Sequence, residues 1–245
     1  MNKFLDNLKT LIIALVIAVL IRSFLFQPFY IPSSSMEPTL LVGDRIFVSK
    51  YTYGYSKHSF PFSPPILNKR IFSSKPNYGD LVVFKTPSDN RTDFIKRVIG
   101  LPGDEIQIVD EELFVNKKKI LKKEINTFEK ARCAGEDIDV ISYEEELPNM
   151  KIHQTVYRKN GTMIKSDKYV VPENHYFFLG DNRDCSSDSR YLSNVGYVHE
   201  NNLVGKARII FFSNDTKIGS VFKFWNWKKS IRIGRFFKTL KWKIT

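Results

Sequence analysis

Three consecutive serines, Ser33, Ser34 and Ser35, stand between two prolines in the segment PSSSMEPTL at residues 32–40. A serine hydroxyl becomes a useful nucleophile when a neighbouring base takes its proton. The four histidines are scattered singly and none lies near the serines in sequence, and no GxSxG motif surrounds any serine. A Ser-His-Asp triad formed by residues that are distant in sequence is an alternative, but no motif supports it.

A neutral lysine is another base that activates serine. Such a lysine must be buried, because desolvation lowers its pKa from the usual value of about 10.4 towards neutrality. In TDFIKRVIG at residues 92–100, a strand places Lys96 on one face and Arg97 on the other. Arginine stays protonated, so Lys96 is the candidate base. An ordinary Lys-Arg pair at a sheet edge is the alternative.

A third polar stretch, GDNRDCSSDSR at residues 180–190, holds three Asp, two Arg and three Ser directly after a strongly apolar run. It is either a solvated loop or part of a site at a strand end, where sites are often built. The histidines His58, His153, His175 and His199 form no metal-binding motif, and there is no cysteine pair motif. We expect surface or loop histidines, no metal site and no cofactor.

The elements that position these residues begin with an apolar run from Leu8 to Phe26, which is long enough to span a bilayer. Arg22 lies near its end, where a long side chain can reach the interface. A cleaved signal peptide would be shorter and end in small residues, whereas this run ends in large aromatic residues. We therefore predict one uncleaved transmembrane helix at residues 8–27, after a short cytoplasmic N-terminus at residues 1–7.

Gly-Asp precedes an extended Val-, Ile- or Phe-rich run in LVGDRIFVSK, YGDLVVFKT and LPGDEIQIVD. Gly-Asp favours turns, and the runs beside it are typical of strands. We predict a mainly β fold: an antiparallel β-sheet catalytic body at residues 28–107 and 169–220, with an inserted smaller subdomain at residues 108–168. Residues 55–77, which are rich in proline, predict an extended loop.

The formal net charge is +12, and residues 221–245 carry eight Lys or Arg and no acid, with aromatic residues interleaved. This basic aromatic C-terminal tail suits an anionic lipid surface; RNA or a solvated terminal helix are the alternatives. With the predicted membrane helix in the same chain, lipid is favoured. The two cysteines, Cys133 and Cys185, form no disulfide framework, and we expect free thiols.

Taken together, these stretches resemble bacterial type I signal peptidases, which are membrane-anchored Ser/Lys endopeptidases. PSSSMEPTL, LVGDRIFVSKYTYG, FIKRVIGLPGD and GDNRDCSSDSR match the family's motifs in the family's order, behind an N-terminal anchor. Residues 110–170 match no motif. Two positions depart from the family pattern: Ser34 stands where many members have glycine, and Cys185 stands where asparagine is usual.

The resemblance implies a role for each matched residue. Ser35 would be the nucleophile, Lys96 the general base and Ser33 an oxyanion donor. Ser186 would orient Lys96, and Asp188 with Arg190 would brace that loop. The apolar residues expected to line the shallow substrate pockets are Phe29, Ile31 and Ile95.

The implied function is removal of signal peptides from exported preproteins after small residues (Ala-x-Ala) at the outer surface of the cytoplasmic membrane. The expected partners are preprotein signal peptides and the lipid surface, with no nucleic acid and a monomeric chain. Two alternatives remain at this point. One is a self-cleaving Ser/Lys protease of the repressor type; the other is a catalytically silent, membrane-anchored binding protein.

Overall fold

The structure is a computed structural model that describes residues 2–160, 165–219, 224–240 and 243–244. Residues 220–223, 241, 242 and 245, which belong to the predicted end of the body and to the basic tail, lie outside the described residues. Expectations about the tail are therefore compared below only with its described part.

The chain begins with helix α1 (Asn2–Leu20), continues through a π-helical turn (Ile21–Leu25) and passes directly into strand β1 (Phe26–Tyr30). The apolar stretch Lys3–Leu25 is long and apolar enough to cross a membrane. After it, the described residues contain only short helical segments, of which one is α-helical, α2 (Trp227–Ser230). The remaining strands, in chain order, are β2 (Asp44–Ser49), β3 (Leu81–Lys85), β4 (Asp93–Gly100), β5 (Glu105–Val109), β6 (Glu112–Val115), β7 (Lys118–Lys119), β8 (Leu121–Ile125), β9 (Lys130–Cys133), β10 (Glu136–Glu146), β11 (Lys151–Arg158), β12 (Tyr169–Val170), β13 (His175–Leu179), β14 (Val198–His199), β15 (Leu203–Ser213), β16 (Lys238–Thr239) and β17 (Lys243–Ile244).

Antiparallel sheets build the body, which confirms the predicted mainly β fold. The largest sheet has the strand order β1-β2-β15-β3-β4-β13-β14, with β16 paired to β15. A second sheet contains β17-β11-β10-β8, with β9 paired to β10, and a third contains β12-β5-β6-β7. The strands from β6 to β11 fall within the stretch predicted as an insertion.

The Gly-Asp pairs form the predicted turns in one shared conformation. Each glycine has a positive φ, at 98° for Gly43, 83° for Gly79 and 88° for Gly103, a backbone region that glycine enters without a steric cost. The following aspartate is buried and accepts a hydrogen bond from the backbone N–H three residues earlier. These bonds are Leu41–Asp44 (2.9 Å), Asn77–Asp80 (3.2 Å) and Leu101–Asp104 (2.7 Å).

The end of the apolar N-terminal stretch packs against the body without a linker. The Tyr55 hydroxyl donates to the Phe24 carbonyl over 3.0 Å, and the Phe24 ring makes edge contacts with Tyr55 and Phe60 at centroid distances of 5.5 and 5.6 Å. The Lys50 N–H donates to the Leu25 carbonyl over 2.9 Å. These contacts fix the orientation of β1 relative to the helix that precedes it.

The described part of the basic tail folds back on the large sheet and contains no helix longer than four residues. Strand β16 pairs with β15. The Arg235 guanidinium binds the Asp44 carboxylate at 2.6 Å, and Arg232 binds Asp215 at 2.9 Å. Part of the tail's charge thus stabilises the fold rather than remaining free for an external partner.

Candidate active site

The serine segment forms a turn whose ends are anchored in the core. Met36 and Leu40 are fully buried with Ile31 and Ile46, and the Leu40 N–H donates to the Met36 carbonyl over 2.9 Å. Burying an aliphatic side chain of this size contributes about 1.5–3 kcal/mol. The apolar residues of the motif therefore hold the turn that presents Ser35.

Lys96 reaches that turn from strand β4. Its Nζ lies 2.5 Å from the Ser35 Oγ, and both side chains are buried, with 4% and 7% of their surface exposed. Burial lowers the pKa of Lys96 from its usual 10.5 to about 8, although the carboxylates of Asp188 and Asp181 oppose this shift. A substantial fraction of this amine is therefore neutral at mildly alkaline pH and able to accept a proton from serine.

Arg97 points to the opposite face of β4, as strand alternation requires. It is also buried, and its guanidinium forms a bidentate pair with Asp181 at 2.6 and 2.5 Å. Both residues are 1% exposed or less on their side chains, and removing one member of such a pair typically costs about 3–5 kcal/mol. The pair fixes the start of the polar loop at residues 180–190 against β4.

The next residue in that loop, Asn182, binds the serine turn directly. Its backbone N–H donates to the Ser35 carbonyl over 3.1 Å. Its side-chain amide donates to the Ser34 carbonyl over 3.3 Å and to the Arg132 carbonyl over 3.1 Å. Sequence reasoning missed Asn182, because its contacts are made to backbone carbonyls, which leave no mark in the sequence.

The same loop carries the predicted brace. The Asp188 carboxylate accepts hydrogen bonds from Arg190 at 2.8 and 2.9 Å and from the Gly180 N–H at 3.0 Å. Burial alone would raise the pKa of Asp188, but these partners outweigh it and hold the pKa below its usual value. The Ser186 hydroxyl is buried beside Asp188, and its interaction with that carboxylate is one of the causes that lower the pKa of Asp188.

Gly180 is the point where the site is most tightly packed. A Cβ placed there would lie 2.2 Å from the Ser186 Oγ and 2.5 Å from the Ser35 carbonyl oxygen. Only glycine allows the loop and the serine turn to approach this closely. In the sequence, Gly180 stands out only as the first residue of a further Gly-Asp pair, Gly180-Asp181.

An apolar groove of about 550 Å³ opens beside the Ser35–Lys96 pair. All three residues predicted to line the substrate pockets, Phe29, Ile31 and Ile95, lie in its wall. Ser33 lies there too, with its Oγ 3.4 Å from the Ser35 Oγ. Ser34 is not among the described residues with positive φ, so the turn does not need the glycine that is common at this position.

The prediction of free thiols is wrong, because Cys133 and Cys185 form a disulfide. The bond joins the end of β9 to the loop that carries Ser186, and Cys185 lines the groove. The Glu37 carboxylate, just after the serine turn, accepts from the Arg132 N–H over 2.9 Å. The hairpin of β9 and β10 therefore holds both loops of the site, although its sequence carries no recognisable motif.

The expectation of surface or loop histidines is wrong for His153, which is buried on a strand, whereas His58 lies in the loop at residues 55–77 but is buried there. His58 and His153 are 4% and 5% exposed. His153 lies on β11 with its Nε2 3.7 Å from the Glu145 carboxylate, and burial lowers its pKa well below the usual value. It is therefore neutral. Neither histidine contacts Ser35, and the described residues contain no cluster of side chains able to hold a metal ion.

Comparison with known proteins identifies the family of this chain. A family model described as "Signal peptidase, peptidase S26" matches residues 4–212. The chain is 41% identical to a signal peptidase I from Rickettsia conorii, over 91% of this chain and 88% of that protein. It is 39% identical to a signal peptidase I from Rickettsia canadensis, over 95% and 92%.

Among solved structures, a signal peptidase I from Enterococcus faecalis matches with 25% identity and a TM-score of 0.34, over 54% of this chain and 97% of that one. The family assignment rests on the sequence relatives and the family model, which cover most of the chain. The chain belongs to the signal peptidase I family of peptidases, peptidase S26.

Proposed function

We propose that this chain removes signal peptides from exported preproteins, with Ser35 as the nucleophile and Lys96 as the general base. The observation that carries the proposal is the 2.5 Å contact between the Lys96 amine and the Ser35 hydroxyl. The pair is buried beside an apolar groove, in a chain of the signal peptidase family.

The reaction follows from the protonation state of Lys96. The neutral amine takes the Ser35 proton as the hydroxyl oxygen attacks the scissile carbonyl, and the resulting ammonium then protonates the leaving amine. An acyl-enzyme remains, and a water deprotonated by Lys96 releases the cleaved signal peptide. The Ser33 hydroxyl donates to the oxyanion together with the Ser35 backbone N–H.

The loop at residues 180–190 keeps Lys96 in position. Ser186 orients the amine, and Asp188 with Arg190 braces the loop. Support comes from the buried Asp188–Arg190 pair at 2.8 Å and from the burial of the Ser186 hydroxyl. Catalysis resides in the body at residues 28–107 and 169–220, while the insertion at residues 108–168 supplies the hairpin behind the site.

The groove selects small side chains at positions −1 and −3 of the signal peptide, giving cleavage after Ala-x-Ala. Phe29, Ile31 and Ile95 fill its wall, which leaves shallow apolar pockets rather than deep ones. Large or charged side chains at these positions would have to displace packed residues or remain unpaired in an apolar environment.

The chain is anchored by a single span, with its N-terminus in the cytoplasm and its monomeric catalytic body on the outer side of the cytoplasmic membrane. The disulfide between Cys133 and Cys185 supports this orientation, because such bonds persist in oxidising compartments outside the cytosol. Exposed apolar side chains of the loop at residues 55–77, together with the basic tail, hold the body against anionic lipid.

Incubation of the purified chain with a preprotein whose signal peptide ends in Ala-x-Ala tests the proposal. Cleavage at that site should disappear in Ser35→Ala, in Lys96→Ala and in Lys96→Arg, which keeps the charge but has no titratable amine. Unchanged melting temperatures show that the variants are folded. Cleavage by Lys96→Arg at the rate of the unmodified chain would refute the Ser/Lys pair, and cleavage by Ser35→Ala would refute the nucleophile.

A further inference from the structure

A second cavity, of about 500 Å³, lies where the membrane helix meets the body. Arg22 and Gln27 contribute to its wall from the two sides of that junction, and it adjoins the substrate groove at Phe29 without containing Ser35 or Lys96. Arg22 lies near the end of the span, which ends at Leu25. The cavity is therefore at the level of the membrane interface, where lipid headgroups lie.

Buried interactions preform one wall of this cavity, the short turn at Lys57–Ser59. The amine of Lys50, which is 1% exposed, donates to the His58 carbonyl over 3.1 Å and to the Ser59 carbonyl over 3.2 Å. Ser56 caps the turn and bonds reciprocally with Ser59. The backbone beneath Lys57 and His58 is thus held before any ligand arrives.

Another part of the wall is the turn between β3 and β4, which is also held by hydrogen bonds. The Asp89 carboxylate accepts from the backbone N–H of Arg91 over 2.8 Å and of Thr92 over 3.0 Å. The Thr86 hydroxyl donates to the same carboxylate. Asp89 keeps its negative charge, but its oxygens are hydrogen-bonded within its own turn, and the turn holds Arg91 at the edge of the cavity.

The cavity has an excess of positive charge that the chain itself does not neutralise. Arg22, Lys57 and Arg91 line it, and none of their side chains has a hydrogen-bond or ion-pair partner among the described residues. The other acid in the wall, Asp93, is paired with Lys85 at 2.9 Å. Three cations from three separate segments thus surround one space.

His58 adds a hydrogen-bonding group of fixed orientation to this positively charged cavity. It lines the cavity, and its Nδ1 lies 2.9 Å from the Ser63 hydroxyl. Its Nε2 is buried and has no partner among the described residues. Burial and the nearby cations Lys57, Lys85 and Lys50 lower the pKa of His58 to about 4, so the ring is neutral. When Ser63 donates to Nδ1, Nε2 carries the proton and can donate to an anion.

We propose that this cavity binds the phosphate of an anionic phospholipid headgroup from the leaflet that faces the catalytic body. Lys57, Arg91 and Arg22 supply the charge, and the His58 Nε2–H donates to a phosphate oxygen. A lipid fits better than a free anion because Arg22 belongs to the span itself, whose exposed apolar side chains lie beside the acyl chains of any headgroup bound there.

Binding of phosphatidylglycerol to the full chain in detergent, measured by native mass spectrometry and calorimetry, tests this site. Lys57→Gln/Arg91→Gln should weaken binding about 30-fold, because each cation near a headgroup contributes roughly a fivefold gain. The matched control is Lys118→Gln/Lys123→Gln, which removes the same charge from exposed positions on β7 and β8, outside the cavity and outside the loop at residues 55–77. This control should bind within about twofold of the unmodified chain.

Three results would overturn the proposal. Equal losses in the two double variants would show diffuse attraction to lipid, and equal affinity for inorganic phosphate and phosphatidylglycerol would show a free-anion site. A raised KM for a peptide substrate in lipid-free detergent, with lipid affinity unchanged, would show that the cavity belongs to the substrate groove. The lipid measurement involves no cleavage, so it stands apart from the test of Ser35 and Lys96.

Discussion

At the scale of single residues, burial of one amine determines how this site works. Lys96 could be predicted from the sequence because a lysine base requires an apolar strand face, and β4 provides one. Asn182 and Gly180 could not be predicted in the same way. Asn182 acts on backbone carbonyls, and Gly180 is needed only because Ser186 and Ser35 approach it from distant parts of the chain.

The pH dependence of cleavage should follow the Lys96 amine. Its pKa of about 8 in the folded chain means that the active, neutral form is lost as the pH falls. We expect kcat/KM for a peptide substrate to rise about tenfold per pH unit below that pKa and to level off above it. A profile from pH 5 to 10 measures this, and a pH-independent rate between 6 and 9 would contradict it.

Ser33→Ala should slow cleavage without abolishing it. Loss of one oxyanion donor typically costs about 3–4 kcal/mol of transition-state stabilisation, or roughly 10²–10³ in kcat. KM should change little, because the bond forms mainly in the transition state. Steady-state kinetics with Ser34→Ala as the neighbouring control tests this. Equal kcat values for the two variants would remove Ser33 from the mechanism.

At the scale of elements, the hairpin of β9 and β10 is the part of the site that is hardest to predict from the sequence. Its Arg132 N–H donates to the Glu37 carboxylate beside the serine turn. Its Arg132 carbonyl accepts a hydrogen bond from the side-chain amide of Asn182. It contacts the Ser186 loop through a disulfide that spans 52 residues of sequence. The Gly-Asp turns, by contrast, are local, and sequence alone was enough to place the strands beside them.

Removing the disulfide should affect both stability and catalysis. Cys133→Ser/Cys185→Ser should lose about 2–4 kcal/mol of unfolding free energy, or about 4–16 °C in Tm for a chain of this size. Its kcat should fall because the Ser186 loop is no longer tied to the hairpin. Dithiothreitol should reproduce both effects on the unmodified chain and leave the double variant unchanged. A double variant with unaltered Tm and kcat would show that the disulfide neither stabilises the fold nor positions the Ser186 loop.

At the scale of the whole molecule, the surface around the membrane helix suits contact with lipid. Large apolar side chains of the loop at residues 55–77 are exposed, and Phe62 and Phe72 are the most prominent at 104% and 83%. Cations from the tail, the loop and the helix end lie on the same chain. The overall charge and the apolar loop could be predicted from the sequence. The use of part of the tail to brace the large sheet could not be predicted, because Arg235 and Asp44 of β2 are far apart in sequence and meet only in the folded chain.

A chain lacking residues 1–20, which keeps β1 intact, should still bind anionic vesicles. Phe62→Ser/Phe72→Ser in that chain should weaken vesicle binding, because two exposed rings no longer enter the interface. Co-sedimentation with phosphatidylglycerol vesicles measures both, with Phe237→Ser, an exposed ring on the described tail, as a comparison. Absence of any binding by the shortened chain would show that the span alone holds the body at the membrane.

The direct passage from helix to strand at Leu25–Phe26 fixes the distance between the apolar N-terminal stretch and Ser35, the proposed nucleophile. Since β1 is paired along its whole length with β2 and Phe24 is packed against the body, the position of Ser35 along the membrane normal cannot adjust to the substrate. It follows that scissile bonds are discriminated by depth as well as by neighbouring residues. In reconstituted vesicles, a preprotein series with progressively longer polar spacers between the apolar segment and Ala-x-Ala should be cut within a narrow range of spacer lengths. The same series in detergent, where no bilayer sets the height, should be cut far more evenly.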